Sequence, residues 1–557
     1  MGTRLPLIQT YLQAQQELRA VEQFSRHHDN ASGAGPSIYS AQIPLSAPGK
    51  GEQYAFQVDL DACTGCKACV VGCNTQNGLD PDEAWRSVGL IHGGDADSPI
   101  QQTVTTACHH CLDPACMTGC PVGAYEKSPT TGIVKHLDDQ CIGCQYCTLM
   151  CPYEVPQFNK RLGIVRKCDM CEGRLAQDEA PACVDSCPND AISIKIVEIS
   201  EVLDDAQGDA FLPGAPSPAI TGPTTTYQSK RNLPRNALPA NFYNMRPAAR
   251  HLPLVLLLVL TQLSVGTFTV DALTRGLGQE TSISDLGKWR SIFALGLGLL
   301  ALLASTTHIG RPLYMFRAFI GLKTSWMSRE IIAFGVFIQV ALLYTLSFWA
   351  PALFSFFNLP ATLGLSLVQL RDILAGVTTL FGLVALLCSV RLYVVTRRKF
   401  WNGTATSLRF FGTSALLGVG AVAATTAFTA RTLQDNTLTP DFENFLLWFS
   451  LMSLLKMSYE SSIFRHLFDK QQGDLKRSAL LMTRALRDLT IWRFILGSIG
   501  GIFLPLTLFF THAEANSTST TLAVFAALLF TIGGELLERV LFFTALSAPR
   551  MPGAIGK

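Results

Sequence analysis

Charge is scarce in this sequence. Asp, Glu, Lys and Arg make up 15% of its 557 residues, well under the roughly one quarter usual in soluble domains, so part of the chain is expected to lie in lipid. The charge present has no dominant sign: 44 Lys+Arg against 42 Asp+Glu give a formal net charge of +2. That balance excludes a strongly basic nucleic-acid binder and an acidic disordered tail. Residues 1–30 contain no long apolar core and no twin arginine, so no export signal is expected there. Histidine is sparse too. His308 and His512 close different apolar segments on opposite sides, whereas a bis-histidine haem needs two imidazoles at one depth, so no haem is expected.

Cysteine is nearly absent outside one window and dense within it: 16 of the 17 lie between Cys63 and Cys187. They form four groups. The first is Cys63, Cys66, Cys69 and Cys73; the second Cys108, Cys111, Cys116 and Cys120; the third Cys141, Cys144, Cys147 and Cys151; the fourth Cys168, Cys171, Cys183 and Cys187. A proline follows the last cysteine of the second, third and fourth groups. Three closely spaced thiolates wrap the irons of one cubane, while the fourth leads away and reaches a second cluster. Sixteen thiolates therefore match four [4Fe–4S] clusters with none left over. Zinc would want two separated Cys-x2-Cys pairs per site, and a disulfide framework belongs to small exported domains. If the outer groups exchange their fourth cysteines and the inner groups do likewise, Cys187 joins Cys63, Cys66 and Cys69, and Cys73 joins Cys168, Cys171 and Cys183. Cys151 then joins Cys108, Cys111 and Cys116, and Cys120 joins Cys141, Cys144 and Cys147. Pairing of neighbouring groups is equally compatible with the spacing. Cys388, alone in an apolar stretch, reads as packing. His109 and His110 read as surface or hydrogen-bonding residues.

The chain divides by texture. Residues 1–50 read as an amphipathic helix (LIQTYLQAQQELRAVEQF) and a linker, and 51–200 as the cysteine domain with short β runs (YAFQVDLD, GIVKHL, ISIKIVEI). Residues 201–250 are Pro/Thr-rich and read as a surface connector without a core. Within 251–557, eight apolar segments of bilayer length are expected, at about 252–273, 290–307, 330–350, 370–391, 408–430, 442–460, 492–511 and 520–545. The predicted fold class is an α+β polyferredoxin of two ferredoxin-like two-cluster units, followed by an all-α eight-helix transmembrane bundle. In the flanks and loops of the apolar segments, Lys and Arg number 23 on the side of the cysteine domain against 5 on the other, Arg275, Lys288, Arg290, Arg371 and Arg431, which predicts a cytoplasmic cysteine domain on an inner-membrane anchor.

Ionisable residues at the ends of the apolar segments gather on the cysteine-domain side: His308, Arg311, Glu330, Lys456, Glu460, Glu535, Glu538 and Arg539. Intramembrane charge is costly and points to function. A quinol must lose two protons as its electrons leave, and a histidine with a carboxylate near the lipid surface can take them. That makes His308 and Glu330 candidate quinol residues, with Arg311 beside them. Glu535 and Arg539, four apart on one helix, read as a pair that neutralises itself.

The groups CTGCKAC and CIGCQYCTLMCPY resemble the electron-transfer subunit of the dimethyl sulfoxide reductase family. HIGRPLYMFRAFIGLKTSWMSREI (308–331) and GGELLERVLFF (533–543) resemble that family's eight-span membrane anchor. The resemblance implies a polyferredoxin on an anchor that oxidises menaquinol, with electrons passing to a separate molybdopterin (bis-MGD) catalytic subunit. It also places His308 and Glu330 at positions the family uses for quinol. The departure is fusion of two normally separate subunits through 201–250. No room is left for a molybdopterin domain, so this chain is expected to be the non-catalytic wire and quinol-oxidising part of a larger complex. Three alternatives stand beside this reading: the same wire run in reverse, reducing quinone; an ion pump driven by electron transfer; and an inert anchor whose clusters only hold shape. The crowding of charge on one side argues against the pump.

Overall fold

The computed structural model describes residues 42–276, 284–349, 367–434 and 438–553. The amphipathic helix expected near the N-terminus lies outside the described residues.

Two three-stranded sheets frame the cysteine domain. Strand β1 (Glu52–Asp59) pairs antiparallel with β8 (Ile192–Glu198), Phe56 opposite Ile194. Alternation along both strands buries one face, with Phe56, Ile192 and Ile194 in one core and Val58 in a neighbouring one. The hairpin β2 (Ser87–Gly94) and β3 (Pro99–Thr106) forms the second sheet. Its turn is closed by Asp95, whose carboxylate accepts from the Ser98 N–H and hydroxyl at 2.8 Å each. Two small hairpins, β4 (Tyr125–Lys127) with β5 (Val134–His136) and β6 (Gln157–Asn159) with β7 (Ile164–Arg166), lie between the sheets in the chain.

The connector does more than hug the surface. It opens with the helix Ile199–Gln207, which buries Val202 and Ala206. It then adds β9 (Thr226–Gln228) parallel to β1 and β10 (Leu238–Pro239) antiparallel to β2. Thr221 and Thr224 are buried, tied to the Tyr153 hydroxyl and the His109 carbonyl. Composition alone hides this, because short edge strands draw their stability from the sheet they join rather than from their own side chains.

Among the described residues, seven helices are long and apolar enough to cross a membrane: Leu252–Gly276, Leu286–Thr306, Trp326–Ser347, Leu367–Val394, Gly403–Leu433, Arg487–Phe510 and Thr518–Thr544. The expected sixth segment is also a helix, Thr439–Ser461, of 23 residues. At 1.5 Å per residue it spans about 35 Å, but Asp441, Glu443, Lys456 and Glu460 interrupt its apolarity. Helix Arg487–Phe510 contains a π turn, Ile499–Phe503, just ahead of Pro505. Proline lacks the N–H and crowds the preceding turn, which accounts for the bulge. The first and fifth helices touch backbone to backbone. A Cβ on Gly266 would stand 1.9 Å from the Ser414 carbonyl oxygen, the close approach that small residues permit between membrane helices.

The pairing expected between Glu535 and Arg539 does not form. Glu535 binds Lys456 at 2.8 Å and Arg493 at 2.7 Å. Arg539 instead donates to Gln262 (3.0 Å) and Thr413 (3.1 Å) and approaches Glu538 at 3.4 Å. Both side chains point into the bundle, where cations on two other helices lie closer to Glu535 than its own helical neighbour does. Arg290, one of the five far-side cations, is likewise interior: it is 1% exposed and bonded to Asp271.

Candidate functional site

All four cysteine groups use one backbone device. The residue just before the second cysteine, Gly65, His110, Gly143 or Met170, has a positive φ. That left-handed step turns successive N–H groups inward, making a concavity suited to anionic sulfur. The Gly143 N–H donates to Cys141 Sγ at 3.4 Å and the Met170 N–H to Cys168 Sγ at 3.4 Å. The Cys-Pro turns repeat a second contact, Ala124 N–H to Cys120 Sγ at 3.2 Å and Ala191 N–H to Cys187 Sγ at 3.3 Å.

The fold gathers the sixteen thiols in fours. Cys63, Cys66, Cys69 and Cys187 line one cavity, and Cys120, Cys141, Cys144 and Cys147 line another. Cys73 lies with Cys171 and Cys183, and Cys168 with Cys73 and Cys183. Cys108, Cys111, Cys116 and Cys151 are mutual neighbours. All are free thiols. Burial and then the adjoining sulfurs push the Cys73 thiol up to about 12. Four sulfurs that raise one another's proton affinity in a dry cage, with N–H groups aimed at them, are a donor set made for a multivalent iron cluster.

Two buried cations stand among the cages, and neither was singled out from the sequence. Lys167 is 2% exposed. It donates from Nζ to Cys108 Sγ at 3.6 Å and to the Cys168 carbonyl at 2.8 Å, so it bridges two cages. Arg86, also 2% exposed, donates to Thr105 at 3.2 Å and lies over the Phe56 ring at 4.6 Å, beside Cys69, Cys73, Cys168 and Cys183. Lys167 stands beside a cysteine in RKCDMC, as surface lysines also do, and Arg86 has no cysteine beside it in the sequence. His109 and His110, expected at the surface or as hydrogen-bonding residues, are both buried. The His110 Nδ1 accepts from the Val134 N–H at 3.0 Å, whereas His109 packs edge-on to Tyr153 and Phe211.

The cage of Cys120, Cys141, Cys144 and Cys147 rests on the anchor. Segment 310–325, between the second and third membrane helices, hydrogen-bonds to the loops that carry those cysteines. The Arg311 N–H donates to the Ile142 carbonyl at 2.9 Å, the Gly321 N–H to Pro121 at 2.9 Å, and the Ser325 hydroxyl to Gly119 at 2.7 Å. Glycine is required at this seam: a Cβ on Gly143 would lie 2.2 Å from the Gly163 carbonyl and 3.0 Å from Gly310. The Arg311 guanidinium donates to the Asp138 carbonyl at 2.9 Å, so its observed contact is a docking one.

His308 and Glu330 bracket this seam without touching each other among the described contacts. The His308 ring meets that of His251 edge to face, centroids 5.5 Å apart, and its carbonyl accepts from Gln145 at 3.5 Å. Burial, then the neighbouring His251, holds the His308 imidazole down at about 4. Glu330, 7% exposed, accepts a hydrogen bond from the Ser389 hydroxyl. Tyr146 opens the short helix Tyr146–Met150 after Cys144; burial, then the charges of Glu330 and Cys144, push its hydroxyl up. No local pattern in the sequence sets Tyr146 apart from other aromatics in cysteine loops.

A family profile described as DMSO reductase anchor subunit matches residues 245–545. The chain belongs to that anchor family. A second profile, 4Fe-4S dicluster domain, matches residues 101–196. The chain is therefore a multi-pass membrane protein that carries an iron–sulfur electron-transfer domain fused to the family's anchor. The cysteine half is 40% identical over 172 residues to the B subunit of the anaerobic dimethyl sulfoxide reductase of Escherichia coli K12, covering 29% of this chain and 83% of that one. It is 35% identical over 153 residues to the thiosulfate reductase electron transfer subunit PhsB of Salmonella typhi, 27% of this chain and 79% of the relative. Against the formate dehydrogenase-O iron-sulfur subunit of E. coli K12 the identity is 32% over 169 residues, 27% and 56% of the two chains.

Proposed function

We propose that this chain oxidises quinol, menaquinol by family resemblance, at the membrane seam and passes the electrons to a molybdopterin-containing reductase subunit. The carrying observation is the seam itself: one thiol cage is hydrogen-bonded to the segment that begins at Arg311, and Gln145, next to Cys144, donates to the His308 carbonyl. The four sets of four cysteines would hold four [4Fe–4S] clusters, which supply one-electron acceptors in series. The chain's own groups supply the rest. His308, held neutral, is a base at the edge of the bilayer. Glu330 is a second acceptor, oriented by Ser389. Lys167 and Arg86 place positive charge where reduction adds negative charge. The basic loops support a cytoplasmic cysteine domain.

The test is to add 2,3-dimethyl-1,4-naphthoquinol anaerobically to membranes containing the full chain and to follow cluster reduction by paramagnetic resonance. Purified chain is expected to carry four iron atoms per cage. Iron-free, colourless protein after anaerobic handling would end the proposal. The likeness to a formate dehydrogenase subunit favours one second reading, electron flow from a partner into quinone. Cluster midpoint potentials below that of the quinone pool would favour it.

A further inference from the structure

We infer that His251 carries protons from the quinol site to water between the two domains. The inference rests on His308 as the quinol base, and it adds a residue and a route that the quinol reading does not contain.

His251 is the residue immediately before the first membrane helix. Its carbonyl accepts the first N–H groups of that helix, from Leu254 at 2.9 Å and Val255 at 3.1 Å. Its backbone is left-handed, φ 45°, a conformation that is uncommon outside glycine. It directs the imidazole sideways, edge to face with His308 at 5.5 Å and against Phe543 at 5.6 Å. Rings at that separation and tilt are direct neighbours.

On its other side His251 lines a cavity of about 500 Å³ between the domains, where one water needs only roughly 10–15 Å³. Thr148, Glu154, Arg398, Trp401 and Arg550 also line it. Thr148 belongs to the helix that follows Cys144, so the cavity runs alongside the proposed point of electron transfer. Glu154, ion-paired to Arg550 at 3.2 Å, is partly exposed and marks a polar edge.

The chemistry balances. Quinol oxidation breaks two O–H bonds and releases two electrons, which reduce the iron–sulfur clusters of the proposed function one at a time. The proton taken by the His308 imidazole forms an N–H bond there, is released to His251, and leaves as hydronium in the cavity, restoring both rings; the other forms an O–H bond on the Glu330 carboxylate, which returns it to water before the next turnover. Both imidazoles are held below their ordinary value by burial, so they pass the proton on rather than keep it.

The experiment uses the full chain in native membranes, with 2,3-dimethyl-1,4-naphthoquinol as donor and stopped-flow bleaching of cluster absorbance as readout. His251→Ala is expected to lower kcat about tenfold or more with KM within about twofold, and free imidazole to restore part of the rate. His251→Phe, which keeps the ring packing, is expected to be as slow and unrescued. Reduction by dithionite-reduced benzyl viologen, which delivers no protons, should be unchanged in both and shows that the clusters are assembled. Wild-type turnover in either variant overturns the relay, as does a raised KM with kcat intact. If His251→Phe does not assemble, the imidazole response of His251→Ala decides. Wild-type turnover in His308→Ala defeats the quinol reading itself, whatever the His251 result.

Discussion

The Tyr146 hydroxyl donates to the Leu392 carbonyl at 2.8 Å, joining the cysteine domain to the end of the fourth membrane helix. That helix stops at Val394, so Leu392 is among the last four residues, whose carbonyls lack an intrahelical partner. Tyr146→Phe leaves this buried carbonyl unpaired, at a cost of about 1–3 kcal/mol to docking. The expected result is faster release of the cysteine domain on limited trypsinolysis in urea, with iron content unchanged.

His308→Ala and Glu330→Lys are each expected to abolish naphthoquinol oxidation while leaving the iron and sulfide content intact. Ser389→Ala removes the donor that orients Glu330 and should give an intermediate loss. Turnover equal to wild type in the first two would remove these residues from the quinol site.

Lys167 lies 3.6 Å from Cys108 Sγ in a buried position. A unit charge at ~4 Å acts with about 4 kcal/mol at an effective dielectric near 20, and about 2.3 kcal/mol corresponds to 100 mV. Lys167→Met should therefore lower at least one cluster midpoint by on the order of 100 mV. Redox titration followed by paramagnetic resonance measures it, and an unshifted midpoint would show that the lysine is only a packing element.

Glu535 neutralises Lys456 and Arg493 across three helices. Glu535→Gln leaves Lys456 and Arg493 to share the single carboxylate of Glu460, a buried excess of positive charge, and breaking a buried pair typically costs about 3–5 kcal/mol. The anchor should unfold at markedly lower denaturant concentration in detergent. Replacing Glu514, which lies outside the membrane helices, should have no such effect.

Membrane sidedness is open to protease. Thr221 is buried, so cleavage near it would be slow. Lys230, Arg231 and Arg235 are exposed further along the connector. Trypsin added to spheroplasts should leave them uncut, and cleavage should follow lysis. Cutting before lysis would place the cysteine domain outside.

Cysteine spacing and apolar segments were legible because both are local. A thiolate loop closes within a few residues, and a membrane helix satisfies its own backbone. The strands written as YAFQVDLD and ISIKIVEI were equally plain from their alternation. The connector's strands were not, since Thr226–Gln228 has no pattern of its own and is a strand only because β1 offers an edge. The helix Thr439–Ser461 was readable by length, and its apolarity is interrupted by Lys456 and Glu460, which pair with each other and with residues of other helices.

Composition and spacing alone determined that sixteen sulfurs would serve one purpose and that the second half would live in lipid, because covalent order sets which thiols close a loop and how much apolar length is available. Only the tertiary structure decided which cage meets the anchor, that Glu535 turns to Lys456 and Arg493, that Lys167 bridges two cages, and that His251 faces His308. Those choices depend on groups far apart in the chain competing for one buried position, and the nearest complementary charge in space prevails over the nearest in sequence.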